Sequence, residues 1–104
     1  DGETAEQAVI REALEETGFR IASTQRAFAA YMSPGSVTEI LYFFIAEYEA
    51  DMKVNEGGGA ADEQENIEVL EMAFEKAMGM TETGEIRDAK TIMLLQYLRM
   101  KNIL

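Results

Sequence analysis

The stretch GETAEQAVIREALEETGF, residues 2–19, predicts one short helix with both of its ends marked. Thr4, followed three residues later by Gln7, fits a capping box and sets the start of the helix. Gly18 can adopt the left-handed conformation that closes a helix. The helix should therefore span residues 5–17. Its small apolar side chains follow a helical period and form a stripe suited to docking on a sheet: Ala5, Ala8, Val9 and Ala13.

The opposite face of this helix is acidic. Glu12, Glu15 and Glu16 are spaced i, i+3 and i+4, so they fall within roughly 100° of arc. Like charges at this spacing destabilise an isolated helix, and Arg11, four residues before Glu15, offsets part of that cost. Three fixed carboxylates suit a hard divalent cation, which prefers oxygen ligands. The alternative is a solvated acidic face, which the charges alone would favour.

The order of the residues resembles the Nudix box, G-x5-E-x7-R-E-U-x-E-E-x-G-U, in which U is a bulky apolar residue. Two positions depart from it: Ala13 is small for its apolar position, and the opening Gly would lie before Asp1. A match at so many fixed positions is highly specific. The matching residues are Glu3, Arg11, Glu12, Glu15, Glu16, Gly18 and Phe19.

Composition narrows the chemistry that is available. The chain has 104 residues, enough for one small domain, and contains neither Cys nor His. This excludes disulfides, zinc–thiolate sites, a Cys nucleophile and a His base. With a net charge of −11, we expect no binding to nucleic acid or to anionic membranes. No apolar run approaches the length of a membrane span, and the absence of Cys is compatible with the cytoplasm, where we expect the protein.

Strands should follow the first helix. Alternating residues predict a strand, or a strand broken by a bend, over about 20–31. A turn containing Pro34 follows, and then the strongest strand of the chain, residues 37–48. Its apolar, aromatic run predicts a central strand buried on both faces.

The C-terminal part should be mostly helical. A short strand is predicted over 67–71, and a helix over 73–83 that ends at Gly84. Asp88 should cap a last helix that runs to about Lys101 and that is apolar nearly all round, which predicts burial on more than one side. The buried face of the first of these two helices should consist of Phe74, Ala77 and Met78.

The resemblance implies an α/β fold, the Nudix α/β/α sandwich with a mixed sheet. This chain lacks the strands that precede the box in that fold, so we expect residues 1–104 to be the C-terminal part of one Nudix domain. It is most similar to the ADP-ribose and GDP-mannose pyrophosphatase branch, and to the GDP-mannose subgroup through residues 32–48 and 57–98. The exposed sheet edge predicts that oligomer contacts or a partner fragment cover it, and we expect a homodimer.

The loop 32–37 is a candidate for the substrate side of the site. Pro34 lies sixteen residues after Gly18, and in this branch a Pro at that distance lies near the bound nucleotide sugar. A simple connection between strands is the alternative. The resemblance makes Ser33, Pro34, Gly35 and Glu39 candidates for the substrate side. In related enzymes a Glu near the position of Glu39 contributes to the substrate or metal environment, and the alternative for Glu39 is a solvated strand end.

The acidic segment 49–66 is predicted to be a mobile loop with a glycine hinge at 57–59. It lacks the Lys and Ser/Thr of a phosphate-binding loop. In the branch that it resembles, a catalytic Glu lies on the loop just before a strand. Glu63 is therefore the first candidate for general base and Glu65 the second, the alternative being that they are simply solvated.

The mechanism implied by the resemblance is hydrolysis of a nucleoside diphosphate sugar, GDP-mannose or ADP-ribose, to a nucleoside monophosphate and a sugar phosphate. Glu12, Glu15 and Glu16 would hold Mg²⁺, with Mn²⁺ as the alternative. The role expected of the remaining box residues is structural: Glu3, Arg11 and Gly18. Two other functions compete: a catalytically silent relative that binds a nucleotide or a protein, and an acidic metal-binding or interaction domain.

Overall fold

The computed structural model describes residues 2–32, 39–59 and 67–104. The chain divides into two compact units, residues 1–69 and 70–104. The α/β class predicted from the sequence is confirmed. In chain order the elements are helix α1 (Ala5–Thr17), strands β1 (Gln25–Tyr31) and β2 (Ile40–Ile45), a 3₁₀-helix (Ala50–Met52), and helices α2 (Phe74–Thr83) and α3 (Ala89–Met100).

Local hydrogen bonds set both ends of α1. The Gln7 N–H donates to the Thr4 hydroxyl at 3.0 Å, and the Thr4 N–H donates to the Gln7 side-chain oxygen at 2.9 Å, which completes the capping box. Gly18 has a φ of 81°, and its N–H donates to the Leu14 carbonyl. The predicted bounds of this helix are confirmed. None of its residues is fully shielded from solvent, although the middle of its apolar stripe is half-buried.

Strands β1 and β2 form an antiparallel pair, with Tyr31 opposite Ile40. A bulge lies between Arg26 and Phe28 and shifts the register of the pair. On one face the rings of Phe28 and Phe43 stack with their centroids 4.4 Å apart, and Phe43 is 6% exposed. The small core of the hairpin therefore lies on this face. The mixed sheet implied by the resemblance stays a prediction, because the sheet of the described ranges is this antiparallel pair.

Both strands are shorter than predicted. β1 begins at Gln25 rather than near residue 20, and β2 stops at Ile45. The prediction that this second strand is buried on both faces is wrong, because Tyr42 is 50% exposed. Successive side chains of a strand point to opposite faces, so Tyr42 lies on the face opposite Phe43. There the Arg26 guanidinium lies 4.5 Å from the centre of the Tyr42 ring and leaves half of the residue exposed.

The chain after β2 is tied to the end of α1. Lys53 forms an antiparallel bridge with Phe19, and the Arg20 N–H donates to the Met52 carbonyl at 2.9 Å. Phe19 is buried, and its ring meets that of Tyr48 edge to face at 4.7 Å. The first part of the predicted acidic loop, residues 49–59, is therefore held by backbone pairing rather than being irregular throughout.

The strand predicted over 67–71 is absent, and these described residues have no strand pairing. Ile67 donates its N–H to the Gly58 carbonyl at 3.2 Å, which is a single contact rather than a ladder. Leu70 is 66% exposed. An apolar pattern alone was the basis of that prediction, and a strand needs a neighbour to pair with.

The second unit, residues 70–104, contains α2 and α3. Their predicted positions are confirmed, and Gly84 closes α2 with a φ of 89°. The Arg99 guanidinium joins the two helices, because it donates to Glu75 at 2.8 Å and lies 5.1 Å from the centre of the Phe74 ring. Ala77 is buried on the predicted face of α2, where Phe74 and Met78 are half-buried. Burial of α3 on more than one side is not observed, since its apolar residues are at most half-buried.

Candidate active site

The acidic face of α1 lies along the second half of the helix. Glu12 is exposed, whereas Glu15 and Glu16 are half-buried. Arg11 donates to Glu15 at 3.5 Å, which is the i, i+4 pair expected from the sequence. Carboxylate oxygens are the donors that Mg²⁺ prefers, so the residue types fit such an ion. In residues 2–32, 39–59 and 67–104, no three acidic side chains are gathered closely enough to form a metal site, and the ligand roles stay a prediction.

Arg11 also clamps the segment that precedes the helix. Its Nε donates to Glu3 Oε2 at 3.0 Å and its Nη2 donates to Glu3 Oε1 at 3.2 Å, a two-point contact between the guanidinium and the carboxylate. This hydrogen bond lowers the pKa of Glu3, and the carboxylate in turn raises the pKa of Arg11. Glu3, Arg11 and Glu15 therefore form one connected set beside the predicted metal ligands.

Glu6 links the first half of α1 to the chain that enters β1. Both the N–H and the hydroxyl of Thr24 donate to Glu6 Oε2, each at 3.2 Å. A shallow cleft of about 400 Å³ lies here, at the end of the helix away from Glu15 and Glu16. The predicted metal ligands do not line it. Its lining consists of Thr4, Ala5, Glu6, Thr24, Arg26 and Phe44.

The C-terminal end of α1 is capped by a segment distant in sequence. The last carbonyls of a helix have no partner within the helix. Here the Gly58 N–H donates to the Glu16 carbonyl and the Gly59 N–H donates to the Glu15 carbonyl, both at 2.8 Å. The Gly18 carbonyl accepts from Val54 at 2.8 Å. Residues 54–59 therefore lie against the turn of helix that bears two of the three predicted metal ligands.

Two glycines make this close approach possible. A Cβ on Gly57, whose φ is 73°, would lie 2.5 Å from the Glu16 carbonyl oxygen and 2.8 Å from the Gly18 nitrogen. A Cβ on Gly18 would collide with the backbone of Asn55. Neither contact leaves room for a side chain, because both involve backbone atoms. The box glycine thus serves both to close the helix and to admit the 54–59 segment.

The same contact brings together the two flanks of residues 60–66. Gly59 is held by the Glu15 carbonyl, and Ile67 donates to the Gly58 carbonyl at 3.2 Å. The chain therefore leaves the C-terminal end of α1 at Gly59 and comes back to the adjoining Gly58 at Ile67. The two candidate bases, Glu63 and Glu65, lie outside the described residues.

On the substrate side, Ser33, Pro34 and Gly35 also lie outside the described residues. Glu39 is described and exposed, and its carbonyl accepts from the Met32 N–H at 2.9 Å, next to the first pair of the hairpin. Glu39 is therefore positioned at the mouth of the hairpin, as expected from its place at the start of the strand.

Sequence reasoning missed the role of residues 54–59. The glycine run predicts a hinge, whereas in the structure Gly58 and Gly59 hydrogen-bond to the end of α1 and Gly57 packs against it. The usable signal is the pair of glycines itself, one closing a helix and one in a distant run, because glycine often marks a position where another backbone approaches closely. Asn55 gave no signal, although its side-chain oxygen accepts from the Gly57 N–H at 2.7 Å.

Comparison with known proteins gives a consistent result. The family model described as the NUDIX domain matches residues 1–95. The chain is 48% identical over all of its 104 residues to GDP-mannose pyrophosphatases of Shigella flexneri, Shigella dysenteriae serotype 1 and Escherichia coli O157:H7. These matches cover 53% of each relative, so the chain spans about half the length of the curated relatives it matches.

No helix within the described ranges has the length and apolarity needed to cross a membrane. The acidic helix face, the Glu3–Arg11 clamp and the helix-closing Gly18 occupy the positions of the box, and the family model extends over most of the chain. This chain belongs to the Nudix family.

Proposed function

We propose that the protein containing this chain hydrolyses the pyrophosphate bond of a nucleoside diphosphate sugar. The observation that carries the proposal is 48% identity over the whole chain to enzymes named GDP-mannose pyrophosphatase. The complete set of Glu12, Glu15 and Glu16 on one helix supports it. Of the two substrates considered, the names of the relatives favour GDP-mannose over ADP-ribose, and the products are a nucleoside monophosphate and a sugar phosphate.

The carboxylates of α1 would hold the ion. Glu12, Glu15 and Glu16 are the proposed ligands of Mg²⁺, or of Mn²⁺ in its place, and when bound the ion neutralises charge on the diphosphate. Arg11 and Glu3 keep the helix and the segment before it in a fixed relation through their two-point contact. The net charge of −11 makes such neutralisation necessary, because the chain would otherwise repel a diphosphate.

A carboxylate on the 60–66 segment is the proposed base. Glu63 is the first choice and Glu65 the second, and either would accept a proton from the attacking water. The support is that the flanks of the segment, Gly59 and Ile67, meet beside the turn that bears Glu15 and Glu16. The proposed substrate-side residues are Ser33, Pro34, Gly35 and Glu39.

Proposals for the fold of the complete domain, its assembly and its location in the cell rest on the same resemblance. We propose the Nudix α/β/α sandwich with its mixed sheet for the complete domain, and a homodimer as its assembly. We also propose the cytoplasm, where nucleotide sugars would be available to it. The chain's acidity supports the absence of nucleic acid and of anionic membranes among its partners.

A substrate panel on the full-length protein tests the proposal. GDP-mannose, ADP-ribose and a nucleoside triphosphate are each supplied with Mg²⁺ or with EDTA, and the products are separated. Metal-dependent release of GMP and mannose phosphate supports the proposal. Hydrolysis of the triphosphate alone would contradict it. Nucleotide binding without any turnover would favour the catalytically silent relative.

The ligand assignment has its own test. Glu12→Gln and Glu16→Gln each remove a charge without changing shape, so we expect turnover to fall by at least about 100-fold while the fold remains intact. Glu82→Gln, an exposed glutamate on α2, is the matched control and should keep full turnover. A Glu16→Gln variant that is fully active at saturating Mg²⁺ would contradict the assignment.

A further inference from the structure

The C-terminal turn of α1 is held in place from outside the helix. The Glu15 carbonyl accepts a hydrogen bond from the Gly59 N–H, and the Glu16 carbonyl accepts one from the Gly58 N–H. The backbone of both glutamates is therefore fixed by a segment about forty residues away in sequence. Side chains that must converge on one ion need their supporting backbone fixed to within about 0.5 Å. The contacts that hold residues 54–59 therefore bear directly on where these two carboxylates can point.

Asn55 and Gly57 make the contacts that set the conformation of the 54–59 segment at its turn. The Asn55 side-chain oxygen accepts from the Gly57 N–H at 2.7 Å, which forms a tight turn that orients the next two N–H groups. Gly57 itself contacts the backbone of the last turn of α1, where a Cβ would lie 2.5 Å from the Glu16 carbonyl oxygen. The Asn55 N–H also donates to the Gly18 carbonyl at 3.3 Å. Asn55 is exposed, so its hydrogen bonds rather than its burial explain its position.

We propose that Asn55 and Gly57 are positioning residues that fix the last turn of α1 and thereby set the directions of the Glu15 and Glu16 carboxylates toward a divalent cation. The proposal rests on the proposed function for the identity of the ion. The hydrogen bonds and the close approach that it uses lie entirely within the described residues of the first unit.

Asn55 provides the main test, because an exposed side chain can be changed without removing a core contact. Asn55→Ala removes the acceptor for Gly57, whereas Asn55→Asp keeps an oxygen there. In the full-length protein we expect Asn55→Ala to weaken binding of Mg²⁺, measured directly by calorimetry, roughly 10-fold, and Asn55→Asp to restore it. Amide hydrogen exchange at Gly58 and Gly59 should accelerate in the Ala variant and be protected again in the Asp variant.

Gly57 provides a second test with a control for backbone strain. Gly57→Ala should weaken Mg²⁺ binding roughly 10- to 100-fold, because the added Cβ meets backbone atoms that cannot move aside. Gly84→Ala is the matched control: its φ of 89° is also strained, but its Cβ would meet nothing within 4 Å in the described ranges, and Gly84 takes no part in the proposed device. It should lose stability while keeping Mg²⁺ affinity. If Gly57→Ala does not fold, the comparison of Asn55→Ala with Asn55→Asp tests the proposal in its place.

The outcomes separate this proposal from the proposed function. Unchanged Mg²⁺ affinity and unchanged protection of Gly58 and Gly59 in Asn55→Ala would overturn the positioning role, whatever the wild-type protein hydrolyses. An equal loss of affinity in Gly57→Ala and Gly84→Ala would also overturn it, since strain alone would then explain the effect. If the wild-type protein neither binds Mg²⁺ nor turns over, the proposed function fails and the cation part of this proposal fails with it, while amide exchange still reports whether Asn55 seats the segment.

Discussion

Arg11 joins helix α1 to the segment before it and also contacts Glu15 on the same helix. Its guanidinium makes two hydrogen bonds to Glu3, at 3.0 and 3.2 Å, and one to Glu15 at 3.5 Å. A lysine offers a single charged point and cannot reproduce this geometry. The arginine of the box thus has a structural function, which it performs together with Glu3 and Glu15.

We therefore expect Glu3 and Arg11 to be coupled in stability. Glu3→Gln and Arg11→Gln should each lower the thermal midpoint by no more than a few degrees, because the pair is partly exposed and screened. The double variant should be no less stable than the worse single variant. Thermal unfolding of all four proteins at low and high salt measures this, and strictly additive losses would show that the contact contributes nothing.

The start of helix α3 is capped by the side chain of Asp88. The Asp88 carboxylate accepts from the N–H of Thr91 at 2.9 Å and from its hydroxyl at 3.0 Å. The backbone hydrogen bond from Thr91, followed by the bond from its hydroxyl, lowers the pKa of Asp88 below its ordinary value of 3.8.

The sign of the resulting pH dependence follows from this lowered pKa. A depressed folded-state pKa stabilises the protein above the unfolded value of 3.8, and this contribution is lost as the pH falls through the folded pKa. Asp88→Asn keeps a capping oxygen but does not titrate, so its stability should fall less between pH 5 and about pH 2 than that of the wild type. Urea unfolding across this range tests the prediction, and parallel acid profiles for the two proteins would contradict it.

Helix α2 contains a glycine that the structure does not require. Gly79 lies in the helix without a positive φ, and a Cβ there would meet nothing within 4 Å. Gly79→Ala should raise the free energy of unfolding by about 0.5–1 kcal/mol, because alanine restricts the unfolded chain and favours helix. Gly84→Ala, at a φ of 89°, should lower it instead. Denaturant unfolding of both variants gives the comparison, and a destabilised Gly79→Ala would show that this position is packed.

Helix ends were predictable and sheet contacts were not. Thr4, Gly18, Gly84 and Asp88 act within a few residues of themselves, so sequence alone located α1, α2 and α3. The burial of β2, the missing strand over 67–71 and the packing of Gly57 on α1 depend on partners far along the chain. The resemblance identifies the candidate ligands, whereas the packing of Gly57 on α1 joins segments about forty residues apart and leaves no local pattern in the sequence.

For the molecule as a whole, the hairpin leaves apolar surface open. Tyr31 is 69% exposed and Tyr42 50% exposed, on strands that pair only with each other within the described ranges. Unpaired strand edges favour association unless something covers them. In the full-length protein either the rest of the domain or a second copy can cover this surface. The proposed homodimer assigns that role to a second copy, so we expect the full-length protein to sediment as a dimer at micromolar concentration. A monomer throughout that range would contradict the expected assembly.

The most direct test of the proposed activity is product analysis with GDP-mannose and the full-length protein, comparing wild type with Glu16→Gln and Glu82→Gln. We predict stoichiometric GMP and mannose phosphate from the wild type and from Glu82→Gln in Mg²⁺, with none in EDTA and at least about 100-fold less from Glu16→Gln. Equal turnover by Glu16→Gln, or release of products that do not arise from cleavage between the two phosphates, would contradict a pyrophosphatase built on the acidic face of α1.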